Sequence, residues 1–428
     1  MPSIRRLLFL LLACIVIVAQ LSLSGIARRS GPAALLDDDG GSVGGPGLQT
    51  SAGLTSSGAG ASDVRLASDA PPGGGRTLQV VFVKYYQTGS SRMRVDDTNV
   101  MLRMQADSSI NSTGILCDEY RKVYCGGVLR ADLVVHVKIE CRCDAGHLGI
   151  GMRHVYEPVD GLIKFGGLEA FLSGKAGPNK HLTMGACIDG RADGRCFSAY
   201  IVASKEMKRR ADAVLGTSPS KAFVIPHHHS NFHDRVRDAG LPPSTVALAG
   251  KYKNNALVKN LSSFLRQQGL RDITVRYLRE IKCKDGAALP PSETGDCFAQ
   301  ALKTVSVGIA WWQPGDPDKT GDPGIERVAL VENSAQRLLN FLAVGVPAVA
   351  FAGYEAMQDA LEGAHHLGAA ADEPSLQLRV LGLLRDPAAM DEARREALEI
   401  ARRFAPGAVG GIYRAALPEM ARLGRLAG

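Results

Sequence analysis

The residue types with most chemical potential fall in five places. His227-His228-His229 puts three imidazoles in a row, and imidazole is the side chain that exchanges a proton near neutral pH, orients hydroxyls, or meets phosphate when charged. Adjacent histidines point in different directions, so the triplet makes a poor cage for one metal ion. Glu332-Asn333-Ser334-Ala335-Gln336-Arg337 places an acid and capping residues before an amphipathic stretch. A helix opening at Ser334-Ala335 would turn its first backbone amides toward an anion such as a diphosphate, with Arg337 adding a charge-assisted contact. An ordinary capped helix on a sheet has the same pattern. Asp316-Pro317-Asp318 can hold a divalent cation between two carboxylates, but it lies in a Pro/Gly/Asp-rich loop where such triplets arise from turn chemistry. His154, Glu157 and Asp160 sit at or after a short strand-like run and offer a candidate base, with ion pairing or capping as the plainer role. Trp311-Trp312 closes another apolar run, where it can stack a ring or fill the core.

Elements of alternating type must position these residues. Continuous apolar runs at Leu78–Val83, Leu133–Ile139, Phe197–Ala203 and Ala222–Ile225 form one series. Thr245–Ala249, Ile273–Leu278, Val305–Trp312 and Ala348–Ala352 form a second. Apolar character without alternation predicts strands buried on both faces, as in parallel sheets covered by helices. Helices are predicted at 254–268, 334–344, 355–363, 376–385 and 390–404, whereas residues 84–130 have no clear period. The turn cluster Gly240-Leu241-Pro242-Pro243-Ser244 divides the series. The expected fold is therefore α/β, with two doubly wound Rossmann-like domains at 77–240 and 241–428 facing across a cleft. Ligands bind such sheets beyond the carboxyl ends of their strands.

The 428 residues are 45% hydrophobic and 22% charged, which suits a globular core. A net charge of +7 without long basic runs does not suggest a nucleic-acid partner. Arg5-Arg6 precede a wholly apolar stretch, Leu7–Ala19, whose weaker continuation ends at Arg28-Arg29. Residues 1–30 are read as a single-pass membrane anchor, with a cleavable signal peptide as the alternative. Either puts the rest of the chain in the secretory pathway, in a Golgi or ER lumen or secreted. Residues 31–76, with twelve glycines and no aromatic residue, read as a disordered stem. Eight cysteines beyond Cys14 fit an oxidising compartment. Chain neighbours suggest Cys117–Cys125, Cys187–Cys196 and Cys283–Cys297, with Cys141 and Cys143 too close to bridge each other easily. Asn111-Ser112-Thr113 and Asn260-Leu261-Ser262 are glycosylation sequons.

Arg337-Leu338-Leu339-Asn340-Phe341-Leu342-Ala343-Val344-Gly345-Val346-Pro347 resembles the carboxy-terminal donor-binding segment of GT-B fold glycosyltransferases, of the retaining, glycogen-synthase-like type. The resemblance covers about residues 220–405 and is strongest at 328–353. It implies a glycosyltransferase that takes a nucleotide-sugar donor and a glycan acceptor, with no cofactor required and a divalent metal not expected. Glu332 then falls where the family contacts the sugar hydroxyls. Asn340 falls where the family carries a second acid that holds the ribose; the amide can still hydrogen-bond but brings no charge. Gly250-Lys251-Tyr252-Lys253 resembles the strand–turn at which the family's backbone and basic residues meet the diphosphate, while Pro226–Phe232 falls at its domain crossing, so that the histidines would line the cleft.

Overall fold

The computed structural model describes residues 76–84, 92–105, 109–125, 127–138, 141, 152–158, 172, 197–216, 220–229, 231, 236–237, 242–249, 255–278, 301–311 and 335–423. The apolar segment Leu7–Ala19 and nearly all of the stem lie outside them, as do Cys143, Cys187, Cys196, Cys283 and Cys297. Among the described residues no helix is long and apolar enough to cross a membrane.

The first lobe is a six-stranded sheet, every strand parallel to its neighbour. Its strands are β1 (Leu78–Lys84), β2 (Ile110–Leu116), β3 (Leu133–Val137), β4 (Arg153–Glu157), β5 (Ala199–Val202) and β6 (Ala222–Val224), in the order β2-β1-β3-β4-β5-β6. Successive side chains leave opposite faces of a strand. Val80 and Phe82 accordingly enter one apolar layer, and Val81 and Val83 the other. Helix α1 (Thr98–Met104), entered through a π-helical turn at Arg92–Asp97, contributes Met101 and Leu102 to the first layer. On the other side, the single turn α2 (Cys117–Tyr120) and helix α3 (Lys205–Leu215) cover the sheet. Ser204 caps α3 by accepting from the Met207 amide, which satisfies one of the helix's orphan donors.

The second lobe carries β7 (Thr245–Ala249), β8 (Thr274–Tyr277), β9 (Val307–Ala310), β10 (Ala348–Phe351) and β11 (Gly368–Ala370), in the order β11-β10-β9-β7-β8 and again parallel throughout. Its helices are α4 (Asn255–Gln267), α5 (Gln336–Leu342), α6 (Glu355–Ala360), α7 (Glu373–Arg385) and α8 (Pro387–Arg403). The two faces differ in residue size. Val246, Leu248, Val307, Ile309 and Val349 pack on α4 and α7. Ala247, Ala249, Ala310, Ala348 and Ala350 face α5 and α8, with Gly308 directly under Phe341; a Cβ on Gly308 would lie 2.4 Å from that ring. Small residues on this face let α5 lie close on the sheet. Leu257, Leu261 and Leu265 line the buried side of α4, each worth about 1.5–3 kcal/mol of burial.

Three features depart from the sequence reading. The last helix, α9 (Pro406–Arg422), follows α8 in the chain but packs on the first sheet. Its Tyr413 meets Phe82 edge to face at 6.0 Å. The second lobe therefore does not keep the whole of 241–428. Cys117 pairs with Cys141, not with Cys125, which is itself disulfide-bonded elsewhere. The reason is topological: β2 and β3 flank β1 in a parallel sheet, so the segments leaving their carboxyl ends approach each other although 24 residues separate the two cysteines. Lastly, the stretch without period, 84–130, holds α1, β2 and α2.

Candidate functional site

In a parallel α/β sheet the place to look is where strand order reverses, because the loops leaving the two central strands part there and open a crevice. In the second lobe the reversal lies between β7 and β9. The segment after Ala249 holds Gly250, Lys251 and Lys253; the segment after β9 holds Asp316, Asp318, Glu332 and Ser334. All of these lie outside the described residues. Trp311 is buried in the core, 4.7 Å from the Phe351 ring. Helix α5 delivers the chain to the amino end of β10, so its opening at Ala335 faces the carboxyl ends. It starts at Gln336, one to two residues later than expected, and Ala335 supplies no side-chain cap. Arg337 is half-buried. Asn340 is 2% exposed, in a stretch of the helix, Leu338–Leu342, that is buried throughout.

The first lobe reverses between β1 and β3, and its carboxyl ends gather charge. Lys84, at the end of β1, is buried with its Nζ 2.5 Å from both Asp96 oxygens. Glu157 closes β4. Its Oε1 lies 2.6 Å from Arg94 Nε, and both side chains are 1% exposed. That approach is off the N–H axis, so it is an ionic contact rather than an aligned hydrogen bond. Arg94 also donates to the Ile225 carbonyl at 2.9 Å, the Pro226 carbonyl at 3.1 Å and the Tyr413 hydroxyl at 3.1 Å. The Tyr413 hydroxyl donates in turn to Glu157 at 3.2 Å. Burial pushes the Glu157 carboxyl up, against the opposing pull of Arg94 and Tyr413. Burial likewise raises Tyr413. The cluster ties β4, the end of β6, the π turn and α9 together.

The histidine triplet follows β6 and is buried throughout, with His227, His228 and His229 at 4%, 0% and 4% exposure. Among the described residues neither ring nitrogen of His227 has a hydrogen-bond partner. Burial, Arg94 and His228 hold it well below the ordinary imidazole range. His228 Nδ1 donates to the His229 carbonyl at 2.7 Å, and its Nε2 lies 3.7 Å from Asp97. His229 Nδ1 accepts from the Asn231 amide at 3.2 Å; burial first, and His228 second, lower its pKa to about 4. The segment then crosses to the second lobe. The His229 amide donates to the Phe404 carbonyl at the end of α8, and the Asn231 side chain to the Ala343 carbonyl at the end of α5.

Burial thus disfavours the charged forms of His227 and His229, and with them a cationic contact to phosphate. His154 pairs with His136 across 2.9 Å. The Cys141 amide donates to His136 Nδ1, which leaves the His136 proton on Nε2, facing His154. Glu157 takes the ion-pairing role; Asp160 lies outside the described residues. Among the described residues no group of three His, Cys, Asp or Glu is placed to hold a metal ion. Sequence reasoning missed Arg94 and Tyr413. Arg94 lies in the stretch without period, and Tyr413 is 319 residues away from it in the chain.

No family model and no curated protein matches the sequence. Among solved structures the chain is similar to the sucrose-phosphate synthase of Thermosynechococcus elongatus, at 10% identity over 80% of this chain and 100% of that one, TM-score 0.47. It is also similar to a putative UDP-N-acetylglucosamine 2-epimerase from Listeria monocytogenes, at 12% identity over 80% and 96%, TM-score 0.46. A third is Anabaena HepE in complex with UDP, at 10% identity over 80% and 100%, TM-score 0.46. The chain's own coordinates define its class: an α/β protein of two parallel, doubly wound sheets, with the largely buried segment Ile225–His229 leaving the first and a final helix that returns to it.

Proposed function

We propose that this chain is a GT-B-like glycosyltransferase, moving a sugar from a nucleotide-sugar donor to a glycan or glycoconjugate acceptor. The observation that carries the reading is the strand reversal between β7 and β9, beside which the chain attaches the two segments with the family-like pattern, 250–253 and 332–347. The donor would lie in the second lobe. Glu332 would accept from the sugar hydroxyls, and Lys251, Lys253 and Arg337 would offset the diphosphate charge as the leaving group departs. Helix α5 has seven residues, so its dipole is short and the larger share of that task falls to these side chains. No metal need be essential. The acceptor would lie against the first lobe, and approach of the lobes would exclude water from the donor.

The compartment is part of the same proposal. The Cys117–Cys141 disulfide supports an oxidising lumen, and the apolar segment after Arg5-Arg6 supports a Golgi or ER membrane anchor, or secretion if it is cleaved. A second reading, a catalytically silent binding protein, draws support from the burial of His227, His228 and His229, which leaves the triplet without an exposed base.

The test combines thermal shift and turnover with UDP, GDP and their sugars, since a ligand that binds only the folded state raises its stability by mass action. A shift with sugar release supports the transferase. A shift without turnover supports the silent binder, and no shift with any nucleotide refutes both. Glu332→Ala is expected to weaken sugar-nucleotide binding more than free-nucleotide binding; an equal loss would contradict its role. Loss of activity in EDTA would move the chemistry to Asp316 and Asp318.

A further inference from the structure

We infer that Asn111 is an N-glycosylation site whose glycan shields the open edge of the first sheet. The inference rests on the lumenal location proposed above. Strand β2 ends the sheet, and among the described residues it pairs with β1 alone. It is seven residues long, equal to β1, and its sequence INSTGIL carries no charge and no proline. A long, uncharged edge offers unpaired backbone groups to another chain, and proteins usually blunt such edges with charge, proline or a cover. None of the first two devices is present in β2.

The sequon's Asn111 and Thr113 lie on the exposed part of the strand. Asn111, Thr113 and Ile115 leave the same face, by strand periodicity. Ile115 is buried under α2 with Tyr120 and Cys117. Asn111 and Thr113, toward the strand's start, are exposed. Among the described residues the Asn111 amide nitrogen donates to the Gln79 side chain, at 2.8 Å and among exposed groups, so a bulky substituent there meets solvent. The second sequon lies in a different setting. Asn260 is exposed in the middle of α4, but Leu261 is fully buried and the Ser262 hydroxyl is bonded back to the Val258 carbonyl.

The transfer needs a lipid-linked oligosaccharyl diphosphate as co-reactant. The bond between the Asn111 amide nitrogen and the sugar's anomeric carbon forms, and the bond from that carbon to the diphosphate oxygen breaks. The amide loses one proton, the lipid diphosphate leaves, and nothing is oxidised or reduced. The Gln79 contact joins two solvent-facing side chains and can be exchanged for water, so it does not block the acceptor amide.

The experiment expresses the full chain in a glycosylating cell, in an Asn260→Gln background, with a reporter sequon appended after Gly428. Amidase treatment and peptide mass analysis then read each site. The expected result is a glycan at both Asn111 and the reporter. Thr113→Ala and Asn111→Gln should each remove the Asn111 glycan, and Thr113→Ser should keep it. The deglycosylated variants should form more higher-order species on size-exclusion chromatography, and Thr113→Lys, which also lacks the glycan, should suppress them. A modified reporter with unmodified Asn111 overturns the inference alone. An unmodified reporter overturns the lumenal location and the inference with it. Glycan loss without any rise in association overturns the shielding role.

Discussion

Replacing Glu157 by glutamine would keep the side chain's shape and remove its charge, leaving Arg94 buried beside a neutral amide. The two groups are 2.6 Å apart and 1% exposed, and at an effective dielectric constant near 20 two charges about 4 Å apart attract by about 4 kcal/mol. Breaking one partner of a buried pair costs about 3–5 kcal/mol by a separate route, because the other charge stays desolvated. The two estimates agree. The carbonyls of Ile225 and Pro226 still accept from Arg94 in the variant, which places the expected loss toward the lower end. The affected contacts join α9 to the first sheet, so the measurement is urea unfolding together with amide exchange along α9. At about 1.4 kcal/mol per decade, protection there should fall by roughly two to three decades. Tyr413→Phe, which removes the hydroxyl between the two charges, should cost about 1.5–3 kcal/mol. The double variant should lose less than the sum, because the three groups form one network. A loss below about 1 kcal/mol for Glu157→Gln, or strict additivity with Tyr413→Phe, would refute the view that this cluster clasps α9 to the first lobe.

Serine at Cys117 or Cys141 should lower stability by about 3.5 kcal/mol, the loop-closure value for a bridge spanning 24 residues, read as a shift in urea midpoint. Gly308→Ala should cost about 1–3 kcal/mol by driving Phe341 and α5 off the sheet; an unchanged melting temperature would show that the helix yields freely. Acid should weaken the fold through His229, whose pKa falls from 6.5 to about 4 on folding. Between those values the unfolded chain binds a proton that the native one refuses. Stability thus drops as pH falls from about 6.5 to about 4, by roughly 3.4 kcal/mol from this residue, and His227, held low by burial, adds a loss of the same sign. His229→Gln should flatten the slope measured by urea unfolding at several pH values, and an unaltered slope would assign the acid sensitivity elsewhere.

Strands and helices were legible wherever one residue class dominated a run. Thr245–Ala249 was read to the residue, and the helix expected at 254–268 is α4, because a continuous apolar run and an amphipathic repeat are local signals. β2 was not legible: an edge strand need not be apolar, and INSTGIL carries turn-like residues. Helix α9 was hidden in a similar way. Its opening Pro-Gly-Ala-Val-Gly-Gly is poor helix sequence, and it forms because Val409, Tyr413 and Leu417 are buried against the first sheet.

By itself the sequence determined the α/β class and the two strand series, since these follow from periodicity and residue type along short windows; the likeness of 250–253 and 332–347 to a donor site is a family resemblance instead. Tertiary structure alone decided that Cys117 meets Cys141, that Tyr413 reaches Arg94 and Glu157, and that the three histidines are enclosed. Those facts depend on which strands lie side by side and on how much water burial removes. Strand order and desolvation arise from contacts between residues far apart in the chain, and no local window records them.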